Sequence, residues 1–222
     1  MREGYKVENG MGVIEKRTDI DDYAFAWCES LKEIVIPEDL DIGNYAFCEC
    51  KFLNTVTILE RVSRIGKNAF YRCESLEKIT ISEGVKEIKY RAFAECTSLK
   101  EIAIPKGVVV IEPHAFYRCE SLEKITISEG IIAIERFAFC ECKSLKEIAI
   151  PKGVVYIGRY AFQGCISLKE IAIPKGVEEI CEGVFEGCNN LQHIYVPKES
   201  IDYYKSMHSL KEYINIISAY EE

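Results

Sequence analysis

The residues of this chain that are most able to react or to bind a metal are its eleven cysteines. Three of them, Cys48, Cys140 and Cys181, lie outside the regular series that the others form. The segments Cys48–Cys50 and Cys140–Cys142 both read Cys-Glu-Cys, which could offer thiolate and carboxylate ligands to a metal ion. They stand four repeats apart, however, or about 19 Å at the usual strand spacing, and no histidine is in phase with either. We therefore expect no metal and no cofactor.

The other eight cysteines occupy one position of a sequence repeat: Cys28, Cys50, Cys73, Cys96, Cys119, Cys142, Cys165 and Cys188. They predict a column of buried thiols, because a free cysteine behaves as a small hydrophobic residue. One strain-free disulfide geometry is not expected to recur along such a column. All eleven thiols are therefore predicted to be reduced, with Cys48, Cys140 and Cys181 the first to react in the native protein.

Catalytic constellations are missing from the sequence. His114, His193 and His208 occupy three different positions of the repeat, so the repeat does not bring any two of them together. The chain has no HExxH, GxxxxGK or GxGxxG motif and no Ser/His/Asp pattern. Carboxylates are abundant, but most of them recur with the repeat. We expect a protein without enzymatic activity.

The elements that carry these residues are short tandem units. Ala69–Gly84 and Ala115–Gly130 both read AFYRCESLEKITISEG, and a related half-unit, CxSLKEIAIPKGV, begins at Cys96, Cys142 and Cys165. The phenylalanine of the Ala-Phe or Val-Phe pair marks eight units at steps of 22 or 23 residues: Phe25, Phe47, Phe70, Phe93, Phe116, Phe139, Phe162 and Phe185. A fixed period of this length predicts a solenoid, in which each unit is stable because its neighbours cover it.

Each unit follows the pattern CxSLxxIxIPxGVxxIxxxAFxx. The Leu-x-x-Ile-x-Ile run alternates in steps of two and predicts one parallel strand per unit, which the following Pro or Ser ends. The return leg is too short for a long helix and predicts short extended or 3-10 structure, with its Ile and Phe filling the core. The Gly-Val after the strand turns the chain, with five glycines free to take positive φ: Gly84, Gly107, Gly130, Gly153 and Gly176.

The two ends of the chain differ from the units between them. Residues 1–19 are predicted to pair with the first unit as an N-terminal cap, residues 20–197 to form the eight-unit solenoid, and residues 198–222 to form a C-terminal helical cap. Ser200 is placed to cap a helix that starts at Ile201. Apolar residues recur at three and four after it, so one or two helices are predicted to cover the strand at Ile194–Val196.

The repeat resembles the leucine-rich repeat in its BspA-like, or Treponema-type, variant, over about residues 20–196. The segment Val196–Tyr204 is also similar to the VPxESxxxY sequence with which that family commonly ends. The resemblance implies a β-rich α/β-type solenoid with a parallel concave sheet, short non-helical return legs and a C-terminal helical cap. It also implies a binding role, since similar repeats mediate adhesion on surface proteins of host-associated bacteria and protists.

Two columns of side chains are predicted to face the concave surface, between the inward Leu and Ile positions. Together they are the candidate partner-binding site: Lys78, Thr80, Glu101, Ala103, Lys124, Thr126, Glu147, Ala149, Glu170 and Ala172. The charged column alternates in sign from Lys78 to Glu147, as does the neighbouring column from Glu77 to Lys146. This alternation indicates either charge pairing between units or a charged ligand surface. The small second column forms a shallow floor that suits a protein or glycan, or an ordinary sheet face.

Composition narrows the classes of partner. With 36 acidic and 28 basic residues the net charge is −8, and no Lys/Arg run exceeds two residues, which argues against nucleic acid. No apolar stretch approaches the length of a membrane span. We expect a monomer that binds a protein or glycan, with an intracellular scaffolding protein as the alternative. The family resemblance favours the cell surface or secretion if a signal was removed. The reduced cysteines and the polar residues 1–12 favour the cytoplasm otherwise.

Overall fold

The Leu-x-x-Ile-x-Ile segments form the inner strands of a solenoid. The computed structural model describes residues 3–15 and 18–220. The inner strands run through Glu33–Ile36, Thr55–Ile58, Lys78–Ile81, Glu101–Ile104, Lys124–Ile127, Glu147–Ile148, Glu170–Ala172 and His193–Pro197. Buried and exposed residues alternate along them, because successive side chains of a strand point to opposite faces. The predicted β-rich solenoid with a parallel concave sheet is confirmed.

The inner strands pair in parallel and in register with the repeat. Lys124 lies opposite Glu101 on one side and Glu147 on the other. A single bridge between Ala149 and Ala172 joins the strands before and after it into one continuous face. Equivalent residues of successive units therefore stand in straight columns along the solenoid.

The return legs contain short outer strands and turns. The outer strands are Arg64–Ile65, Glu87–Ile88, Val110–Ile111, Ala133–Ile134, Tyr156–Ile157 and Glu179–Ile180. Bridges from Ile20 to Ile42 and from Ile42 to Ile65 extend the same column to the first unit. Residues 20–197, all of which the structure describes, contain no helix, so the predicted non-helical return legs are confirmed.

The phenylalanines form one continuous stack through the core. All eight are buried, and neighbouring rings lie parallel with centroids 5.0 to 5.8 Å apart. Leucine, isoleucine and alanine from each unit pack around them as a single cluster. Each unit thus buries its ring against identical rings above and below, which is why the units depend on their neighbours.

The periodic cysteines form the predicted buried column, and they also donate hydrogen bonds. From Cys50 to Cys188, each Sγ lies 3.0 to 3.2 Å from the carbonyl oxygen of the phenylalanine one unit earlier, as in Cys119 to Phe93. Burial raises the pKa of the Cys50 and Cys119 thiols to about 12, so both stay protonated as donors. The side chain is therefore both a core filler and a polar link between units.

All eleven cysteines are free thiols, but the predicted order of their reactivity is wrong for two of them. Cys48 and Cys140 are buried, 4% and 3% exposed. The turn that carries them packs against the next unit, which the sequence position alone does not reveal. Cys28 and Cys181 are the partly exposed thiols.

We predict that a thiol reagent at about pH 8 labels only Cys28 and Cys181 in the native protein, because only exposed thiols are accessible, and that Cys181 reacts slowly because its raised pKa leaves little thiolate. After denaturation without reductant, close to eleven thiols should titrate. Peptide mass spectrometry after alkylation identifies the labelled positions. Rapid native labelling of Cys73 or Cys96, or the detection of several disulfides, would contradict the buried ladder.

Three of the five turn glycines use their freedom to take positive φ. Gly130, Gly153 and Gly176 have φ near 100°, whereas Gly84 and Gly107 do not take positive φ. At those two positions the absence of a Cβ serves close packing instead. A Cβ on Gly107 would lie 2.8 Å from the carbonyl oxygen of Val85, and one on Gly84 would lie 2.9 Å from a backbone nitrogen of the preceding unit.

The N-terminal residues form a hairpin on the sheet. Tyr5–Glu8 pairs antiparallel with Met11–Ile14, which in turn pairs in parallel with Glu33–Ile36. Tyr5 is buried and its ring contacts Phe25 edge-on at 5.3 Å, closing that end of the aromatic stack. The predicted cap also included residues 1–2 and 16–17, which lie outside the described residues.

The C-terminal cap is helical at its start and ends in a strand that the sequence analysis did not predict. An α-helix spans Ile201–Ser206 and a 3-10 helix His208–Ile216, after which Ile217–Tyr220 pairs in parallel with His193–Pro197. The helix starts at Ile201 as predicted, but the Ser200 side chain makes no capping bond. A 3-10 turn at Lys198–Ser200 leads directly into the helix. Within the residues described, no helix is long and apolar enough to cross a bilayer.

Candidate partner-binding surface

The ten predicted residues lie together on the concave sheet. Each is exposed, because it occupies the outward position of an inner strand whose alternate residues are buried. Lys78, Thr80, Glu101 and Ala103 line a depression of about 340 Å³, together with Lys124 and Thr126. A second depression of about 400 Å³ continues from Lys124 to Ala172. The sheet register thus gathers the whole candidate set into one elongated surface.

The floor of this surface is made of small side chains. Thr126 lies directly opposite Ala103 in the register, and Ala149 is bridged to Ala172. Tyr195 ends the floor at the C-terminal side and stacks with His193, with centroids 5.5 Å apart. The candidate set did not include Tyr195, although its place in the small-residue column indicates its position. It places an aromatic ring at the end of the second depression.

The two charged columns behave differently. In the neighbouring column, Lys100 lies 3.8 Å from Glu77 and Lys146 lies 2.5 Å from Glu123. The Lys146 ammonium lowers the pKa of the Glu123 carboxyl through their hydrogen bond. Charge pairing between units therefore accounts for this column.

The candidate column, by contrast, makes no such pairs. Among residues 3–15 and 18–220, no ion pair within 4 Å involves Lys78, Glu101, Lys124 or Glu147. Strand register holds these side chains side by side, but their charged groups do not come within 4 Å of one another. They remain available to a ligand.

The outer corners of the units carry aromatic and basic side chains that the candidate set left out. His114 stacks on Phe137 at 4.8 Å and meets Tyr90 and Tyr117 edge-on. Burial, followed by the charge of Arg91 and of Arg136, lowers the pKa of His114 to about 4, so its imidazole is neutral at neutral pH. The sequence signal for this corner is the pair of residues before each Ala-Phe.

A third depression, of about 440 Å³, lies where the cap meets the last unit, and Cys181 and His208 both line it. The Cys181 thiol lies 3.4 Å from the Tyr156 hydroxyl and 3.5 Å from a Glu179 carboxylate oxygen. Burial raises the pKa of Cys181, so the group is a protonated thiol and not an activated nucleophile.

Over the part of the chain that the structure describes, no group of three or more His, Cys, Asp or Glu side chains is arranged to hold a metal ion.

A solenoid of 23-residue units with one parallel, exposed concave sheet is the architecture of a leucine-rich repeat protein. The family model described as the BspA type leucine rich repeat region matches residues 18–132 and 109–219, with six copies. The chain therefore belongs to this family. No curated protein matches it.

Several solved structures share the fold. A leucine rich cell surface protein from Faecalibacterium prausnitzii is 23% identical over 98% of this chain and 86% of its own, with a TM-score of 0.54. The T. pallidum leucine rich repeat protein is 25% identical over 95% and 91%, with a TM-score of 0.55. A leucine-rich repeat protein from Bacteroides ovatus is 26% identical over 88% of this chain but 62% of its own, with a TM-score of 0.52.

Proposed function

We propose that the chain is a non-catalytic interaction module that binds a protein or glycan partner through its concave sheet, in the manner of a surface adhesin. The observation that carries the proposal is the row of unpaired charged groups beside a floor of small residues. Leucine-rich repeat families of this kind are generally protein-interaction modules. The relative from F. prausnitzii is named a cell surface protein, which supports a location at the cell surface.

The geometry favours a broad, shallow contact. Alternating charges at Lys78, Glu101, Lys124 and Glu147 can be matched by a partner with the complementary pattern, which gives specificity more than raw affinity. The small side chains at Ala103 and Thr126 let a partner approach the sheet closely. Because the strands are already ordered, association costs little conformational entropy on this side.

We predict that the triple substitution Ala103→Trp, Thr126→Trp and Ala149→Trp blocks the concave contact, because three large rings fill the floor. Wild-type protein is first tested against protein and glycan arrays, and each hit is then titrated against the variant. Binding should weaken at least about tenfold, since several contacts are displaced together. Thermal unfolding should change little, because all three positions are exposed.

A matched control places tryptophans at Val109, Ile132 and Val155, which are also exposed but lie outside the concave columns. This variant should bind each hit as the wild type does. If hits survive the concave substitutions and are lost in the control, the partner uses another face and the proposal is wrong.

A further inference from the structure

The outer corners carry a strip of positive charge on a chain of net charge −8. In units three to seven, the two residues before each Ala-Phe include no carboxylate. Each of these pairs contains one basic side chain or histidine: Lys67, Arg91, His114, Arg136 and Arg159. The equivalent residues of the first and last units are acidic at Asp22 and Glu182. We call these five residues the outer strip.

Two arginines of the outer strip have no carboxylate partner. Over the described ranges 3–15 and 18–220, no acidic group lies within 4 Å of Arg91 or Arg136, whereas Arg159 pairs with Glu182 at 3.0 Å. The Arg91 guanidinium instead lies over the Tyr90 ring, 5.3 Å from its centroid, and its buried Nε makes no hydrogen bond. Stacking therefore positions this cation and leaves its outer N–H groups without an acidic acceptor.

The aromatic rings of this corner add to the positive field. His114 stacks on Phe137 at 4.8 Å and Phe137 stacks on Tyr160 at 5.1 Å. Because neighbouring rings cover their faces, the part-exposed rings present their edges, and ring edges carry the positive end of the quadrupole. The covered faces also leave no platform on which a nucleotide base could stack.

Backbone N–H groups at this corner already donate hydrogen bonds to the next unit. The His114 N–H donates to the Arg136 carbonyl oxygen at 3.1 Å, and the Phe137 N–H donates to that of Arg159 at 3.0 Å. The corner therefore offers no free strand edge on which a peptide could add its own backbone. The exposed groups of the strip are guanidinium groups, the Lys67 ammonium and ring edges. Of the carboxylates directly before it, Glu112 pairs with Lys89 at 3.4 Å, and Glu135 makes no ion pair within 4 Å with an arginine of the strip among the described residues.

We propose that the outer strip binds a linear anionic polysaccharide through its sulfate or carboxylate groups. Guanidinium groups recognise such oxyanions with short, charge-assisted, often bidentate hydrogen bonds. Arg91 and Arg136 belong to units two apart and occupy adjacent positions of the repeat, so the units that carry them are separated by about 10 Å at the strand spacing. A polymer with regularly spaced anions can thus contact both at once, with Lys67 extending the track. This surface is separate from the concave sheet.

The test measures binding of the full chain to immobilised heparin, with hyaluronate as the carboxylate-only polymer and polyglutamate as the acidic peptide. The double variant Arg91→Gln/Arg136→Gln should raise the heparin Kd at least about tenfold, since two charge-assisted contacts are lost. Arg136→Gln alone, at an exposed position, should give part of this loss even if the double variant is less stable. The relative affinity for heparin and hyaluronate tells which anion is preferred.

The matched control is Lys106→Gln/Lys152→Gln. Both lysines are exposed, both stand two units apart outside the strip, and neither makes an ion pair within 4 Å among the described residues. The control removes the same net charge and should keep its heparin affinity. The concave tryptophan variant should also keep it. An equal loss in the control, tighter binding of polyglutamate than of either polysaccharide, or no binding by the wild type at physiological salt would overturn the proposal.

Discussion

Replacing Phe116 by alanine is expected to lower the free energy of unfolding by about 4 kcal/mol, the usual cost of emptying a buried aromatic site. Phe116 is fully buried between Phe93, at 5.6 Å, and Phe139, at 5.4 Å. The cavity would interrupt the stack in the middle of the solenoid. Because each unit contacts only its neighbours, the two halves should also uncouple, which lowers the denaturant m-value or splits the transition.

The matched control is Phe52→Ala. The Phe52 side chain is 55% exposed, so its removal should change the free energy of unfolding by less than about 1 kcal/mol. Urea unfolding followed by circular dichroism measures both variants. A loss of less than about 1 kcal/mol at Phe116, with an unchanged m-value, would show that the ring stack does not couple the units.

Register explains why so much of the fold follows from the sequence. Once a 23-residue period is found, the alternation of side chains along the Leu-x-x-Ile-x-Ile run decides which residues face inward. The same residues face inward in every unit. Strands such as Glu101–Ile104 and the exposed positions of Lys124 and Glu147 follow directly. The candidate surface is predictable for the same reason, because columns in the structure are positions in the repeat.

The corner conformation could not be predicted in the same way. At each outer corner two residues adopt the left-handed region, for example His114 at φ 57° and Arg118 at φ 56°. Residue preferences assign this region to glycine and asparagine. Here hydrogen bonds to the next unit compensate for the strain, as from the Arg118 N–H to the Cys140 carbonyl oxygen at 2.8 Å. That compensation comes from stacking of units and not from the local sequence.

Which charged side chains form pairs could not be predicted from the sequence either. The candidate column and the neighbouring column both alternate in sign, yet a close pair forms between Lys146 and Glu123 and not between Lys124 and Glu147. Which pair forms depends on the direction of each side chain at the edge of the sheet. The sequence does not give that direction. For the same reason, the sequence did not reveal that Arg91 and Arg136 have no acidic group within 4 Å among the described residues.

Removing residues 198–222 is expected to convert the protein into aggregates or dimers while keeping its far-UV β signal. The cap buries Tyr204, Leu210 and Ile217 against the last unit, and its final strand covers the edge of His193–Pro197. Three large apolar side chains contribute roughly 5 kcal/mol of burial. The truncation removes this contribution and leaves an apolar solenoid end with an open strand edge, which is a template for pairing with another chain.

The companion variant Tyr204→Phe separates loss of the cap from loss of one contact within it. The Tyr204 hydroxyl donates to the Pro174 carbonyl oxygen at 2.8 Å, in a buried position. Losing this bond should cost about 1 kcal/mol and leave a monomer, because the strand at Ile217–Tyr220 still covers the edge. Size-exclusion chromatography with light scattering distinguishes the two states. A truncation that stays monomeric and as stable as the full chain would show that the cap does not protect the solenoid end.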